Sequence, residues 1–206
     1  MHNVTVAFAA LLVMLLSYFF GCFNGSFMVS HFIIRDDVRK HGSGNAGLTN
    51  FYRTYGAKYA LLVIACDMGK TVAACLLGSF FFRCLGWDGT LGTLLAGLGC
   101  ELGHIFPVFY GFRGGKGILS GGTLVLLLNW RVAAVAWALF LLLWLTTRYV
   151  SLASITATCS APITVYFVYG HNWLYTGLCL AVAALALWCH RKNIQRLLHG
   201  TEKKFK

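Results

Sequence analysis

Residues 4 to 20 read VTVAFAALLVMLLSYFF, a run that contains no charged side chain. The apolar character continues almost unbroken to residue 34, well beyond the ~20 residues that a helix needs to cross ~30 Å of hydrocarbon. The run is too long for a signal peptide, and no basic segment precedes it. It therefore predicts a first membrane-spanning helix.

The composition of the whole chain supports the same class of protein. Of 206 residues, 58% are hydrophobic and 11% are charged, whereas about 25% of residues are charged in soluble proteins. The formal net charge of +11 would suggest a nucleic-acid partner in a soluble protein. In a membrane protein it fits short loops that face anionic lipids or an anionic substrate, so no nucleic-acid partner is expected.

The apolar runs predict an all-α integral membrane protein, with residues 1–206 forming one domain of about seven transmembrane helices. Lys and Arg concentrate in loops on the cytoplasmic side of membrane proteins. This rule predicts a periplasmic N-terminus, with cytoplasmic segments at 35–58, 110–117 and 148–151 and a cytoplasmic C-terminal tail. The seven runs, two of them short for a full crossing, cover residues 4–34, 59–85, 91–109, 118–129, 131–147, 152–169 and 172–189.

Two further patterns concern residues inside these runs. Asp67 and Lys70 are three residues apart on one predicted helix, so we expect a buried ion pair between them. The eight cysteines lie mostly in apolar runs, and none has a neighbouring Cys or His at zinc-ligand spacing. We therefore predict no metal site and no cofactor.

The first polar loop contains Gly42-Ser43-Gly44-Asn45-Ala46-Gly47-Leu48-Thr49-Asn50, and Arg53 follows it. Its glycines allow positive φ angles that can turn backbone N–H groups towards an anion. Gly44 and the side chains of Asn45, Thr49 and Asn50 are candidate phosphate ligands. The alternative is a glycine-rich connection between two helices.

The second polar loop reads Gly111-Phe112-Arg113-Gly114-Gly115-Lys116-Gly117, just before a predicted helix. Lys116, the amides of Gly115 and Gly117, and the positive end of that helix can act on one phosphate group. No acidic residue is close to Lys116 in the sequence. The spacing is not that of a nucleotide-binding P-loop, and a membrane-boundary lysine that reaches for headgroups is the alternative.

Four motifs then identify a family resemblance over essentially the whole chain. They are the first loop with Arg53, the Gly-His-Ile-Phe-Pro segment with the second loop, Arg148-Tyr149-Val150-Ser151-Leu152-Ala153-Ser154, and His190-Arg191-Lys192-Asn193 with Glu202. Their order resembles that of the bacterial acyl-phosphate:glycerol-3-phosphate acyltransferases, the PlsY family. Departures from the family pattern occur at Thr71, at Arg113 and at residues 118–120.

The resemblance implies a bacterial inner-membrane enzyme with its site on the cytoplasmic side. It implies transfer of a fatty acyl group from acyl phosphate to the 1-position of glycerol 3-phosphate, with lysophosphatidate and phosphate as products. The expected partners are glycerol 3-phosphate, fatty acyl phosphate and membrane lipids. The positions of this chain that match the family's site motifs are Ser43, Thr49, Arg53, Gly114, Gly115, Lys116, Ser154, His190 and Asn193. Glu202 matches a structural position.

The expected reaction leaves the catalytic mechanism and the acyl donor open. An acyl phosphate is already activated, so alignment and stabilisation of the leaving phosphate matter more than a strong base. No catalytic triad is suggested by the spacing, and a covalent acyl-enzyme is disfavoured. His190 is a candidate base, although a binding role beside Asn193 is favoured, while His104 is expected to hold the second loop. A transporter of an anionic metabolite, or an acyltransferase with another acyl donor, remains the alternative function.

Overall fold

The computed structural model describes residues 2–205, which form helices and no β-strand within that range. A π-helical turn, Val29–Ile34, and two 3₁₀ turns, Val38–Lys40 and Val108–Tyr110, connect some of the α-helices. The α-helices are α1 (His2–Cys22), α2 (Gly25–Met28), α3 (Leu48–Tyr55), α4 (Ala60–Cys84), α5 (Gly89–Ile105), α6 (Ile118–Leu128), α7 (Trp130–Thr147), α8 (Val150–Val168), α9 (Trp173–Cys189) and α10 (Arg191–Leu198).

Each of the seven predicted apolar runs is helical, which confirms the all-α membrane class. Within residues 2–205, five helical segments are long and apolar enough to cross a membrane, or six if α9 and α10, bent by 61°, form one span. Helix α6 has 11 residues, which at ~1.5 Å per residue covers about half of the hydrocarbon thickness. The count of seven crossings and the orientation of the termini therefore stay predictions.

The chain forms two compact units that divide between Leu124 and Val125. In the first unit, α1 packs against α5 and α4, and α4 packs along α5. Glycines allow the closest of these approaches. A Cβ atom on Gly99 or Gly103 of α5 would collide with the backbone carbonyls of Met14 and Tyr18 of α1. Small residues four apart bring helix backbones together in this way in membranes.

The first apolar run is not one straight helix, because α1 ends at Cys22 and α2 begins at Gly25. Asn24 caps α2, since its Oδ1 accepts the Phe27 N–H at 2.9 Å. The π-helical turn then ends at Arg35, which adopts a left-handed conformation with φ of 62°. The chain thus leaves the apolar region and enters the first polar loop.

The second unit contains the rest of the chain from Val125. Helix α7 packs on α8, α8 packs on α9, and the short helix α10 contacts both α8 and α9. Asn129 and Asn172 begin α7 and α9 as N-caps, because their side chains accept hydrogen bonds from backbone N–H groups in the first turn. This packing places the fourth motif, on α10 and the tail, beside the third motif at the start of α8.

Candidate functional site

The glycines of the first loop predicted positive φ angles, and two of them have such angles. Gly42 has φ of +56° and Gly44 has φ of +70°, whereas Gly47 is extended and serves as the N-cap of α3. A side chain on Gly42 would collide with the Oδ1 atom of Asn50. Glycine is therefore required at position 42, both because φ is positive and because a side chain would have no room beside Asn50.

Asn50 occupies the centre of this loop and is buried. Its Nδ2 lies 3.0 to 3.1 Å from the carbonyl oxygens of Val38, His41 and Asn45. Its Oδ1 accepts the Ser43 N–H at 2.9 Å. Both N–H groups of the amide are thus used inside the loop, so Asn50 positions the loop, and its role in substrate binding stays a prediction.

Several amide groups of the first loop are also used internally. The Gly44 N–H donates to the carbonyl of His41 at 2.9 Å, and the Ala46 N–H donates to the carbonyl of Gly114 at 3.3 Å. With the Ser43 N–H bonded to Asn50, these three groups do not form an open anion nest.

The second loop closes the end of α5. The last carbonyl groups of a helix have no partner within it, and here the loop supplies two. The Gly115 N–H donates to His104 O and the Gly114 N–H to Ile105 O, both at 3.1 Å. A Cβ on Gly114 would collide with the carbonyl of His104. These glycines therefore allow the loop to lie against the α5 backbone.

Two side chains of α5, those of His104 and Glu101, lie beside the glycines that flank Lys116. A Cβ on Gly115 would collide with Nε2 of His104, and one on Gly117 would collide with the carboxyl group of Glu101. Gly117 has φ of +78°, so glycine is favoured there on two grounds. The sequence analysis did not identify Glu101, which is 2% exposed. An acidic side chain that is distant in sequence thus lies next to the residue that follows Lys116.

The two loops contact each other directly. Besides the bond from Ala46 to Gly114, the Nδ2 of Asn45 donates to the same Gly114 carbonyl at 3.4 Å. Asn24 holds the next peptide group of the first loop, because its Nδ2 donates to Ala46 O at 2.9 Å. The structure therefore brings Asn45, one of the predicted site residues, together with Gly114.

Arg39 forms a second connection between the loops that the sequence analysis missed. Its Nε lies 3.0 Å from Asp37 Oδ1 and its Nη2 lies 2.9 Å from Asp37 Oδ2. Its Nη1 donates to the carbonyl of Tyr110 at 2.7 Å. The guanidinium group also lies over the ring of Phe27, 4.4 Å from its centroid. Hydrogen bonds from Arg39 lower the pKa of Asp37 despite its partial burial.

The predicted buried ion pair is confirmed. Lys70 Nζ lies 2.8 Å from Asp67 Oδ1, and both side chains are buried. Lys70 also donates to the α1 carbonyl oxygen of Gly21 at 3.2 Å and to the carbonyl oxygen of Phe23 at 3.0 Å. Asp67 accepts the Gly25 N–H at the start of α2 at 3.0 Å. The pair therefore anchors the chain where α1 ends and α2 begins.

The predicted phosphate-binding side chains differ in exposure. Ser43 and Arg53 are exposed, while Thr49 and Lys116 are half-buried. Thr49 and Arg53 are four residues apart on α3, so they project from one face of that helix. Phe51 lies between them in sequence and is fully buried in the core beside the first loop. Phe51 thus packs α3 into the core, while Thr49 and Arg53 are not part of that buried cluster.

In the second unit, Glu202 connects the third and fourth motifs. Its Oε1 accepts hydrogen bonds from Ser151 Oγ at 2.8 Å and from Asn193 Nδ2 at 2.7 Å. Its Oε2 pairs with Arg196 Nε at 2.6 Å. Burial opposes ionisation of this carboxyl group, but these hydrogen bonds hold the pKa of Glu202 below its usual range. The tail is thus held by an ion pair to a largely buried carboxylate, which agrees with the structural position that the resemblance implies for Glu202.

His190 and Ser154 are both buried in the same unit. His190 Nδ1 lies 2.7 Å from the carbonyl oxygen of Ala186. A carbonyl oxygen only accepts, so Nδ1 carries the proton, and in the neutral ring Nε2 is the nitrogen with a lone pair. This tautomer is the one in which Nε2 can accept a proton or a hydrogen bond.

The helices and the polar loops define a multi-pass integral membrane protein with two glycine-rich loops. Comparison with known sequences gives the family. The glycerol-3-phosphate acyltransferase family model matches residues 11–200, and the chain belongs to this family. A glycerol-3-phosphate acyltransferase of Finegoldia magna is 39% identical over 91% of this chain and 91% of its own length. Another, from Alkaliphilus metalliredigens, is 40% identical over 94% and 95%.

Solved structures agree with this assignment. The chain is similar to crystal structures of PlsY (YgiH), an integral membrane glycerol 3-phosphate acyltransferase. The match to the glycerol 3-phosphate form has a TM-score of 0.84 and 36% identity, covering 96% of both chains. The match to the lysophosphatidic acid form has a TM-score of 0.81 and 35% identity, covering 96% of this chain and 95% of the other. The recognised family resemblance is thereby confirmed.

Proposed function

We propose that this protein transfers a fatty acyl group from acyl phosphate to the 1-hydroxyl of glycerol 3-phosphate. The products would be lysophosphatidate and inorganic phosphate, and the reaction would occur on the cytoplasmic side of a bacterial inner membrane. The main support is the direct contact between the two phosphate-type loops at Ala46 and Gly114. A crystal structure with the same fold is described as a glycerol 3-phosphate form, which supports this substrate.

In the proposed reaction, the glycerol hydroxyl oxygen forms an ester bond with the acyl carbonyl carbon. The bond between that carbon and the phosphate oxygen breaks, and phosphate leaves. Positive side chains stabilise a departing phosphate as its charge develops. We assign this role to Lys116 and Arg53, and assign Ser43 and Thr49 to phosphate hydrogen bonds. Gly44, Gly114, Gly115 and Gly117 shape the loops that hold these side chains.

The hydroxyl proton needs an acceptor. A phosphate oxygen of a substrate is one candidate, which would make the catalysis substrate-assisted. His190 is the other, because its Nδ1 donates to Ala186 and its Nε2 therefore carries the lone pair in the neutral ring. We assign Ser154 and Asn193 to substrate binding, with Asn193 oriented by its 2.7 Å hydrogen bond to Glu202. No cofactor or metal takes part in this proposal.

Purified protein in detergent, supplied with palmitoyl phosphate and glycerol 3-phosphate, tests the proposal. We expect equimolar release of phosphate and lysophosphatidate, and no product when palmitoyl-CoA replaces palmitoyl phosphate. Product from palmitoyl-CoA alone would establish the alternative donor. Uptake of glycerol 3-phosphate into proteoliposomes, without either product, would instead establish the transporter alternative.

A further inference from the structure

The buried Asp67–Lys70 pair has a third member in His104 of α5. Lys70 Nζ lies 2.7 Å from His104 Nδ1. The nearest distance from that nitrogen to Asp67 is longer, 3.5 Å to Oδ1. All three side chains are buried. An ammonium group has donors and no acceptor, so His104 Nδ1 must accept from Lys70.

This contact decides which nitrogen of His104 carries the proton. With Nδ1 as the acceptor, the neutral ring has its N–H at Nε2. Nε2 is the atom that a side chain on Gly115 would collide with. The N–H of the ring therefore lies on the side of His104 that is next to Gly115. His190 has the opposite tautomer, because its Nδ1 donates to a carbonyl oxygen.

We propose that Asp67, Lys70 and His104 form a positioning relay that presents an Nε2–H donor to the second loop beside Lys116. Asp67 holds the Lys70 ammonium, Lys70 fixes the His104 tautomer, and His104 supports the loop from below. The inference rests on the proposed function, because the loop that the relay supports is the proposed phosphate site. None of the three residues is proposed to touch substrate.

The bonds of the α5 backbone to the same loop strengthen this inference. The carbonyls of His104 and Ile105 accept the N–H groups of Gly115 and Gly114 at 3.1 Å. His104 therefore contacts the loop through both its main chain and its side chain. A change in the imidazole would shift the peptide next to Lys116, and a small displacement of a charged group has a large effect on a pre-organised site.

Two replacements of His104 separate this role from simple filling of the buried cluster. Glutamine can place an N–H group near the position of Nε2 but leaves Lys70 without the Nδ1 acceptor. Asparagine can place an acceptor near Nδ1 for Lys70 but has no atom at the position of Nε2. We expect His104→Gln to retain kcat/KM for glycerol 3-phosphate within a few-fold of wild type. His104→Asn should lower it by about tenfold or more, the scale of one lost hydrogen bond at a charged site.

The same two replacements at the exposed His199 are the matched controls and should leave kcat/KM unchanged. Thermal stability of each variant in detergent shows whether it folds. If His104→Asn keeps full activity while His104→Gln loses it, His104 serves only to satisfy Lys70 and the proposal is overturned. Equal activity of both folded variants would overturn it as well.

A measurement on the wild-type protein keeps the proposal testable even if neither variant folds. Nitrogen NMR of protein with ¹⁵N-labelled histidine distinguishes the two neutral tautomers, and loss of one signal in His104→Gln or His104→Asn assigns it. When those variants do not fold, proximity of the signal to labelled Lys70 assigns it instead. We expect the Nε2–H form, whereas an Nδ1–H form refutes the relay. The spectrum needs no substrate, so a wild-type protein without acyl transfer would refute the proposed function separately.

Discussion

At the scale of single residues, Lys116 is the group on which the proposed chemistry most depends. It lies between two glycines that pack on His104 and Glu101, and it comes just before the N-terminus of α6. The helix dipole favours an anion at this end. The loop backbone is fixed by bonds to α5, so the position of the lysine is set before substrate binds.

Replacement of Lys116 should reduce turnover strongly and stability little. We expect Lys116→Ala to lower kcat by about a hundredfold, the typical loss when one electrostatic group of a transition state is removed. Lys116→Arg should restore only part of the rate, because the planar guanidinium group is larger and differently shaped. Phosphate release at saturating substrates measures both. Lys40→Ala, which removes an exposed lysine of the first unit, is the control. Near-native transfer by folded Lys116→Ala would contradict the phosphate role.

At the scale of elements, the C-terminal tail depends on one carboxylate that accepts three hydrogen bonds. Glu202 contacts Ser151 at the start of α8 and both Asn193 and Arg196 of α10. It thus fixes Asn193, a proposed substrate ligand, without touching substrate itself. The hydrogen bond between them explains why Glu202, a structural residue, and Asn193, a proposed site residue, belong to the same motif.

Because its folded pKa is lowered, Glu202 stabilises the tail above the ordinary glutamate pKa of about 4.3. This stabilisation is lost as the pH falls through the lower pKa of the folded state. We expect Glu202→Gln to have a lower melting temperature than wild type at pH 7, equivalent to about 1 kcal/mol, since charge-assisted bonds are replaced by neutral ones. The difference should shrink as the pH falls below the ordinary glutamate pKa.

Melting curves of wild type and Glu202→Gln between pH 3 and pH 8 measure this effect. Asp88→Asn is the matched control, because Asp88 is an N-cap of α5 and asparagine caps equally well. Turnover per folded molecule of Glu202→Gln should stay close to that of wild type. Full stability with abolished turnover would make Glu202 a residue of the reaction rather than of the tail.

The sequence predicted the elements better than the contacts between them. Apolar run length and the spacing of Asp67 and Lys70 are local patterns, and both led to correct predictions. The bond from Arg39 to Tyr110 joins residues 71 positions apart, and nothing in either segment indicates the other. Glu101 is an isolated acidic residue in an apolar run, and nothing in its segment indicates its position beside Gly117. The internal bonds of Asn50 could not be predicted, because an amide inside a loop and an amide facing substrate have the same sequence pattern.

At the scale of the whole molecule, the distribution of charge determines the expected orientation. Of the basic residues, only Lys70, Arg83 and Arg131 lie outside the four segments predicted to be cytoplasmic. Lys70 is paired inside the first unit, so it does not count as a loop charge. Such asymmetry orients membrane proteins with the basic loops inside. It predicts that both glycine-rich loops and the tail are cytoplasmic.

Cysteine labelling in intact cells tests this orientation. Single cysteines replace Asn45, Asp88 or Lys203 in a variant whose eight native cysteines are removed. Asp88 lies between α4 and α5, on the opposite side from the first loop if α4 crosses the membrane. A membrane-impermeant maleimide should therefore label position 88 in intact cells, and positions 45 and 203 only after the membrane is opened. Labelling of positions 45 and 203 from outside would contradict both the topology and the proposed cytoplasmic site.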